Sequence, residues 1–538
     1  MILKKINSFR KPLFLLGLIV MYGCGPTAKI NSMPIENIDL VPLKTIKLTE
    51  LQKRAWSHLD ITLDTVPGIS LDRTYKELIK KKGEVVIVAV IDSGIDIEHE
   101  DLAGKIWSNA GEIPGNGKDD DKNGYIDDIN GWNFLGESND EQLEYVRLLA
   151  SRNAKDPRYL EAKKLHAEEG LRCRRLRFQY KRLLSALKKS NDAISLYLGK
   201  EEYSNKELDN IRSENKVLLG HAVRLREALN LGFESVPDLM ESLDRSLRDL
   251  NARLDYSLNI YFNGRESVGD DPENLSDVTY GDNNIQAKDG RTHGTHVSGI
   301  IAAQRNNGVG MNGVANNVEI MGLRCVPRGD EYDKDIALAV YYAVDNGAKV
   351  INMSFGKGFS PHSKWVRDAI AYAADGDVLI VAAAGNDATD TDVASYFPND
   401  QVELGEEVSD NFIKVGATGS NYGSSILAEY SNYGKNTVDV FAPGSQIYST
   451  YPKQTYEYAQ GTSMASPLVA GVAALIFSQY PKLGAAQVKE ILMNSGLVIN
   501  KKVSLENGNI VPFDSLSKSG KLINAYNAFI MASKTSKK

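Results

Sequence analysis

Cysteine is scarce: Cys24, Cys173 and Cys325 are the only three in 538 residues. That count excludes a disulfide-built scaffold, which needs dense and evenly numbered cysteines. With Cys24 set aside for the reason given below, one distant pair remains. It reads as two unpaired thiols, a single disulfide being the alternative. Basic excess is lacking too, since 63 Lys plus Arg face 70 Asp plus Glu for a net charge of -7. Nucleic acid is therefore not the expected partner, as that would need a basic patch or stripe. Chain ahead of the core-like sequence is short as well: only about sixty residues separate Cys24 from Val85, and no separate folded domain is expected there.

What is present starts with a leader. Lys4, Lys5, Arg10 and Lys11 precede a short apolar run at residues 13–20. The run is too short to span a bilayer and has the layout of a secretory signal. It ends in Met21-Tyr22-Gly23-Cys24, which resembles a bacterial lipobox, with Tyr22 standing where such boxes carry a small or aliphatic residue. The reading is a signal at 1–24, lipidation at Cys24, and a polar tether at 25–55 that lifts the protein from an envelope membrane. Simple secretion is the alternative.

From residue 84 onward, strand-like and helix-like stretches alternate. Residues 85–91 form an unbroken apolar run, as expected of a strand buried on both faces. Similar runs recur at 318–323, 350–353, 378–384, 413–416 and 438–441, with helical stretches such as 334–346 and 365–374 between them. The expected fold class is α/β, a mostly parallel sheet sandwiched by helices. In such sheets ligands bind beyond the carboxyl ends of the strands. Residues 137–268 break the pattern with Leu, Arg, Lys and Glu at helical spacing. They predict an inserted all-helical subdomain of two to four helices. Leu176, Leu183, Leu184 and Leu187 would share one face, and Met240, Leu243, Leu247 and Leu250 another. The main domain is thus split into 56–136 and 269–530, with a tail at 531–538.

Three polar sites follow apolar runs. Asp92 ends the first run, and a carboxylate there can reach an imidazole in the cleft. His293 sits among small residues in Arg291-Thr292-His293-Gly294-Thr295-His296, ahead of an apolar helix. The pair His293 and His296 has no third metal-ligand cluster beside it, so His293 is the better partner for a nucleophile. Ser463 lies in Gln460-Gly461-Thr462-Ser463-Met464-Ala465-Ser466-Pro467, at the entry of a second apolar helix. A serine hydroxyl attacks an amide only with a general base and a group that orients that base.

These three motifs, in the order Asp, His, Ser, resemble those of the subtilisin-like serine proteases. The resemblance covers roughly 56–136 and 269–530. It implies a serine endopeptidase whose triad is Asp92, His293 and Ser463. It further implies that Asn386, in Ala384-Gly385-Asn386, donates to the oxyanion with the Ser463 backbone N–H. Ser354, Phe355 and Gly356 would line an extended substrate bound by strand addition. The substrates are proteins or peptides, and the chemistry asks for no cofactor. Two other readings keep the fold: a catalytically silent envelope protein, and a peptide ligase or cyclase. Three roles are open to the insertion on this reading: a lid, a docking surface for a partner or lipid head groups, or a brace.

One acidic loop has cation-site spacing. Asp119, Asp121 and Asn123 alternate ahead of Gly124, and Tyr125 would offer its carbonyl, an arrangement similar to an EF-hand loop. The closing position holds Asn130 rather than Glu, which leaves Asp127 or Asp128 to close the site. A structural Ca2+ is the expected occupant, a solvated acidic turn the alternative.

Overall fold

The computed structural model describes residues 32–537, apart from 43, 45, 46, 231, 234, 289, 403 and 404. The leader and the Cys24 lipidation site lie outside the described residues.

The described residues contain thirteen strands: β1 Val86–Asp92, β2 Gly131–Asn133, β3 Val318–Arg324, β4 Val350–Met353, β5 Leu379–Ala383, β6 Phe412–Thr418, β7 Val440–Pro443, β8 Ile447–Tyr451, β9 Thr455–Ala459, β10 Leu497–Val498, β11 Lys502–Ser504, β12 Ile510–Pro512 and β13 Lys521–Leu522. Nine of them form one sheet in the order β10-β13-β7-β6-β5-β4-β1-β3-β2. Every neighbouring pair is parallel except β10 with β13. The unbroken apolar runs are the central strands, and both of their faces are buried; β5 and β6 have no exposed residue. From β1 the chain builds toward β3 and β2 on one side. It then crosses to β4 and builds outward the other way. That reversal opens a crevice at the carboxyl ends of β1 and β4.

The helices are α1 Glu50–Ala55, α2 Leu71–Glu77, α3 Glu144–Ala150, α4 Tyr159–Leu198, α5 Asn205–Asp209, α6 Lys216–Leu229, α7 Val236–Ala252, α8 His293–Ala302, α9 Asp333–Asp345, α10 Ser363–Asp375, α11 Thr462–Gln479, α12 Ala485–Ser495 and α13 Ala525–Thr535. On one face of the sheet α8, α11, α12 and α13 pack over Val88, Val90, Val381 and Val415. On the other, α9 and α10 cover Ala89, Ile91, Ile351 and Ile380. Helix α11 is apolar all round and 89% buried, so its length and hydropathy reflect a core position, not a bilayer span.

The insertion is a helical subdomain with its own core. Helix α4 has 40 residues and is about 60 Å long at 1.5 Å per residue. Along its distal half Leu184, Leu187 and Ile194 pack against Leu225 of α6 and Leu239, Leu243 and Leu247 of α7. Leu183, expected on the same face, is instead 38% exposed, because it is rotated 100° from Leu184. Nearer the sheet a second cluster joins Leu143, Val146, Cys173 and Leu258, with Leu250 packed beside it.

The two ends of the chain differ from expectation. Residues 25–55 read as a tether, yet Ile35 and Ile38 are buried against Leu497, Tyr526 and Ile530. Asn527 of α13 fixes that segment by accepting from the Ile35 N–H (2.7 Å) and donating to its carbonyl (3.0 Å). Two isolated isoleucines give no periodic signal, so the contact is invisible in sequence. At the other end α13 runs to Thr535, past the expected boundary at 530.

Candidate functional site

Asp92 is the last residue of β1 and is 1% exposed. Its carbonyl accepts the Cys325 and Val326 N–H groups from beyond β3, which anchors the strand end. One carboxylate oxygen accepts the Ser93 N–H at 2.7 Å. Both oxygens face Nδ1 of His293, at 2.8 and 2.9 Å. His293 opens α8, and the next residue explains the closeness of the two elements. A Cβ at Gly294 would collide with the Gly94 carbonyl oxygen and come within 3.2 Å of the Asp92 Cβ.

The register brings the serine to the same place. Ile91 pairs with Met353, so Asp92 and Ser354 lie side by side at neighbouring strand ends, about 4.8 Å apart. Ser463 Oγ donates to the Ser354 carbonyl at 2.8 Å. Beneath it, Ser354 Oγ accepts from Asn352 Nδ2, donates to the Ser463 carbonyl at 2.9 Å, and lies 2.8 Å from Ser466 Oγ. The Asp92–His293 pair and the Ser463 hydroxyl are therefore held at the ends of neighbouring strands β1 and β4. No hydrogen bond between His293 and Ser463 is found among the described residues in this resting arrangement. Catalytic hydrogen bonds often tighten only once substrate is bound.

Asn386 follows β5 and reaches the start of α11. Its Oδ1 accepts from the Thr462 N–H at 2.8 Å and from the Thr462 hydroxyl at 3.1 Å. With its oxygen committed, the amide presents Nδ2 to the other side. Gly461 has φ of 149°, and a Cβ there would lie 3.4 Å from Asn386 Nδ2 and 3.6 Å from the Ser463 nitrogen. Two N–H donors thus border one small space that only glycine at 461 leaves open. Thr462 also accepts the Gly385 N–H at 3.0 Å, tying the β5 end to α11. Sequence reasoning did not single out Thr462, Asn352 or Tyr396: none carries a charge to mark it, although Thr462 lies inside the Ser463 motif.

The three residues expected to line substrate take different roles. The Ser354 side chain is 2% exposed and faces the underside of α11, so only its backbone faces the crevice. Phe355 is 9% exposed and belongs to the core beneath the sheet. The Gly356 carbonyl accepts from the Tyr396 hydroxyl at 3.1 Å.

The electrostatics favour an imidazole that holds a proton readily. Loss of water pulls His293 down, but the charge and hydrogen bond of Asp92 outweigh it and leave the ring above its ordinary value. The ring is 38% exposed, open enough for substrate to reach. His296 differs: burial, then the charge of His293, push it down to about 4, and its Nε2 lies beside the Ile447 and Glu457 carbonyls. It is a neutral structural histidine.

In the acidic loop, Asp119 and Asp121 share a cluster with Glu112, their nearest carboxylate oxygens lying within 4.8 Å of one another. Three hard oxygen donors held together in this way fit Ca2+ chemistry. Asp119 and Asp121 each also accept the Asn123 N–H. Asp127 turns elsewhere, accepting the N–H groups of Gly115, Asn116 and Gly117. Asp128 is buried and accepts from Asn109, Asn123 and Tyr342. The Tyr125 ring packs edge-on against Trp132 and Tyr342. Glu112 lies before the loop motif, so a spacing rule confined to the loop cannot find it.

Comparison with known proteins adds the lineage. The Subtilase family matches residues 83–513. A thermophilic serine proteinase of Bacillus sp. (strain AK1) is 44% identical over 201 residues, which is 37% of this chain and 45% of that one. Subtilisin DY of Bacillus licheniformis is 40% identical over 209 residues, 38% of this chain and 71% of that one. Thermitase of Thermoactinomyces vulgaris is 40% identical over 200 residues, 37% of this chain and 65% of that one. The chain therefore spans less than half of the AK1 proteinase but most of subtilisin DY. With the family matched across most of its length and these relatives aligned, this chain belongs to the subtilase family.

Proposed function

We propose that this subtilase is a serine endopeptidase, exported and anchored to a membrane through lipid on Cys24. The observation that carries the catalytic reading is the His293–Asp92 pair at 2.8 and 2.9 Å, held at the strand end beside the one that receives the Ser463 hydroxyl.

In the reaction, the Ser463 hydroxyl turns from the Ser354 carbonyl toward His293, which takes its proton as Oγ bonds to the scissile carbonyl carbon. The carbonyl oxygen gains the electron pair and enters the space bordered by Asn386 Nδ2 and the Ser463 N–H. Asp92 keeps the ring oriented and offsets the imidazolium charge. The C–N bond then breaks, and the amine leaves with the proton from His293. Water, deprotonated by the same ring, releases the acyl group and restores the hydroxyl. Each proton and electron pair is supplied by the triad, the peptide or water. One donor of this kind contributes about 3–4 kcal/mol of transition-state stabilisation, a magnitude that comes from a subtilisin. Ca2+ held by Glu112, Asp119 and Asp121 would brace the loop ahead of β2 and stand outside the chemistry.

The test is labelling with a fluorophosphonate, together with cleavage of a peptide library. The unaltered chain should label and cleave, and Ser463→Ala should do neither. Labelling that survives in the alanine variant rejects the nucleophile. Anchoring is tested separately: a Cys24→Ser form that stays in the membrane fraction argues against the lipid.

A further inference from the structure

Resting on the endopeptidase reading, the slot beside the nucleophile defines which side chain can precede the cut. A peptide lying along residues 354–356, with its carbonyl carbon at Ser463 and its oxygen at Asn386, aims that side chain between two backbone walls. One wall is Gly356, beyond β4, and the other is Gly385, beyond β5. Both are glycine, so neither projects a side chain into the slot. The Tyr396 ring does.

The distances fix its position. A Cβ on Gly385 would come 2.6 Å from Tyr396 Cζ and 2.8 Å from Cε1. A Cβ on Gly356 would come 3.1 Å from the same Cζ and closer still to Cε1. The ring is thus in contact with the α-carbons of both walls at once. Its hydroxyl donates to the Gly356 carbonyl at 3.1 Å. The Tyr396 backbone is also held. Lys414, 2% exposed, donates to the Tyr396 carbonyl at 2.7 Å and to the Pro398 carbonyl at 2.8 Å. The next residue, Phe397, exchanges two 2.9 Å hydrogen bonds with Lys357. Moving the ring out means giving up its hydroxyl bond and its contacts with both walls.

We propose that Tyr396 fills the slot and makes this enzyme selective for a small residue — glycine, alanine or serine — immediately before the scissile bond. An aromatic or long aliphatic residue there has no space unless the ring leaves. Close-packed protein interiors do not absorb even a few extra methylenes without displacement.

The probes are peptide p-nitroanilides identical except for alanine, leucine or phenylalanine before the cut. On the unaltered chain, kcat/KM for the alanine peptide should exceed that for phenylalanine by at least about tenfold. Tyr396→Gly should reverse that order. Tyr396→Phe, which keeps the ring and loses only the hydroxyl, should retain it. Fluorophosphonate labelling of Ser463 separates the two levels of failure. A chain that labels but cleaves the alanine and phenylalanine peptides equally overturns this inference alone. So does a folded, labelled Tyr396→Gly variant with unchanged selectivity. Absence of both labelling and cleavage overturns the endopeptidase reading and this inference with it. The unaltered chain carries the first comparison, so the test does not depend on a variant folding.

Discussion

In the proposed mechanism His293 must be neutral to take the serine proton, and its environment works against neutrality. Asp92 stabilises the charged ring, lifting His293 above its ordinary value of 6.5 despite the opposing effect of burial. A group raised in this way keeps its proton to higher pH, so activity is absent below that value and appears as pH climbs through it. The acid limb of kcat/KM should therefore have its midpoint above 6.5. In Asp92→Asn the limb should move to lower pH, since the negative charge that raised the ring is gone. Its kcat should fall by about 10⁴, because the wrong imidazole tautomer is then favoured. A limb centred below 6.5 in the unaltered chain, or one that stays put in the variant, would remove Asp92 from its orienting role. At this scale the members of the proposed triad were legible as candidates, because each sits in a short motif beside an apolar run. The supports were not: Thr462 and Asn352 act through neutral hydrogen bonds that only folding brings together.

At the scale of elements, the junction between the insertion and the sheet carries a buried charge network. Lys357, just beyond β4, is 2% exposed and pairs with Glu144 of α3 at 2.8 Å and Asp333 of α9 at 3.0 Å. Burial pushes Glu144 up, but Arg147 and Lys357 together hold it down at about 2. Replacing Lys357 by Met leaves two buried carboxylates short of a cation. The expected cost is about 3–5 kcal/mol, read as a lower denaturation midpoint with an unchanged slope. A loss below about 1 kcal/mol would mean the network relaxes through water. The acidic loop before β2 makes a second prediction at this scale. If Ca2+ occupies it, millimolar calcium should raise the melting temperature and a chelator should lower it. A concentration a hundred times Kd corresponds to about 2.7 kcal/mol. Glu112→Gln combined with Asp121→Asn should abolish the response, and a response that persists puts the ion elsewhere. Two of the three carboxylates in that cluster were readable from loop spacing. The third was not, because Glu112 reaches it across a turn.

Over the whole molecule, the legible parts of the fold were the ones with a repeating signal. Strands buried on both faces stand out as apolar runs, so β1 and β3 to β7 fall where the sequence puts them. The short strands β2, β10 and β13, at or next to the sheet's edges, have two or three residues each, too few for any pattern. Insertion 137–268 was readable as helical from its leucine spacing. Its division into two clusters was not, since that depends on where α7 returns along α4. That division leads to a prediction about the molecule as a unit. The distal cluster, from Leu184 to Leu247, shares no residue with the two clusters that clasp the sheet. Arg177 of α4 and Asn251 of α7 come within 3.5 Å, so the chain leaves and re-enters the root of the insertion at nearly one point. Residues 178–248 can then be removed and the ends joined by a short Gly/Ser linker without straining the root, while Asp249, whose charge acts on Arg291 near His293, is kept. The truncated chain should fold, label at Ser463, and hydrolyse short peptides with kcat/KM within about threefold of the full chain, because contacts that far from the crevice add independently. A truncated chain that folds but loses peptide hydrolysis would mean that the distal helices, distant as they are, help set the geometry at Asp92, His293 and Ser463.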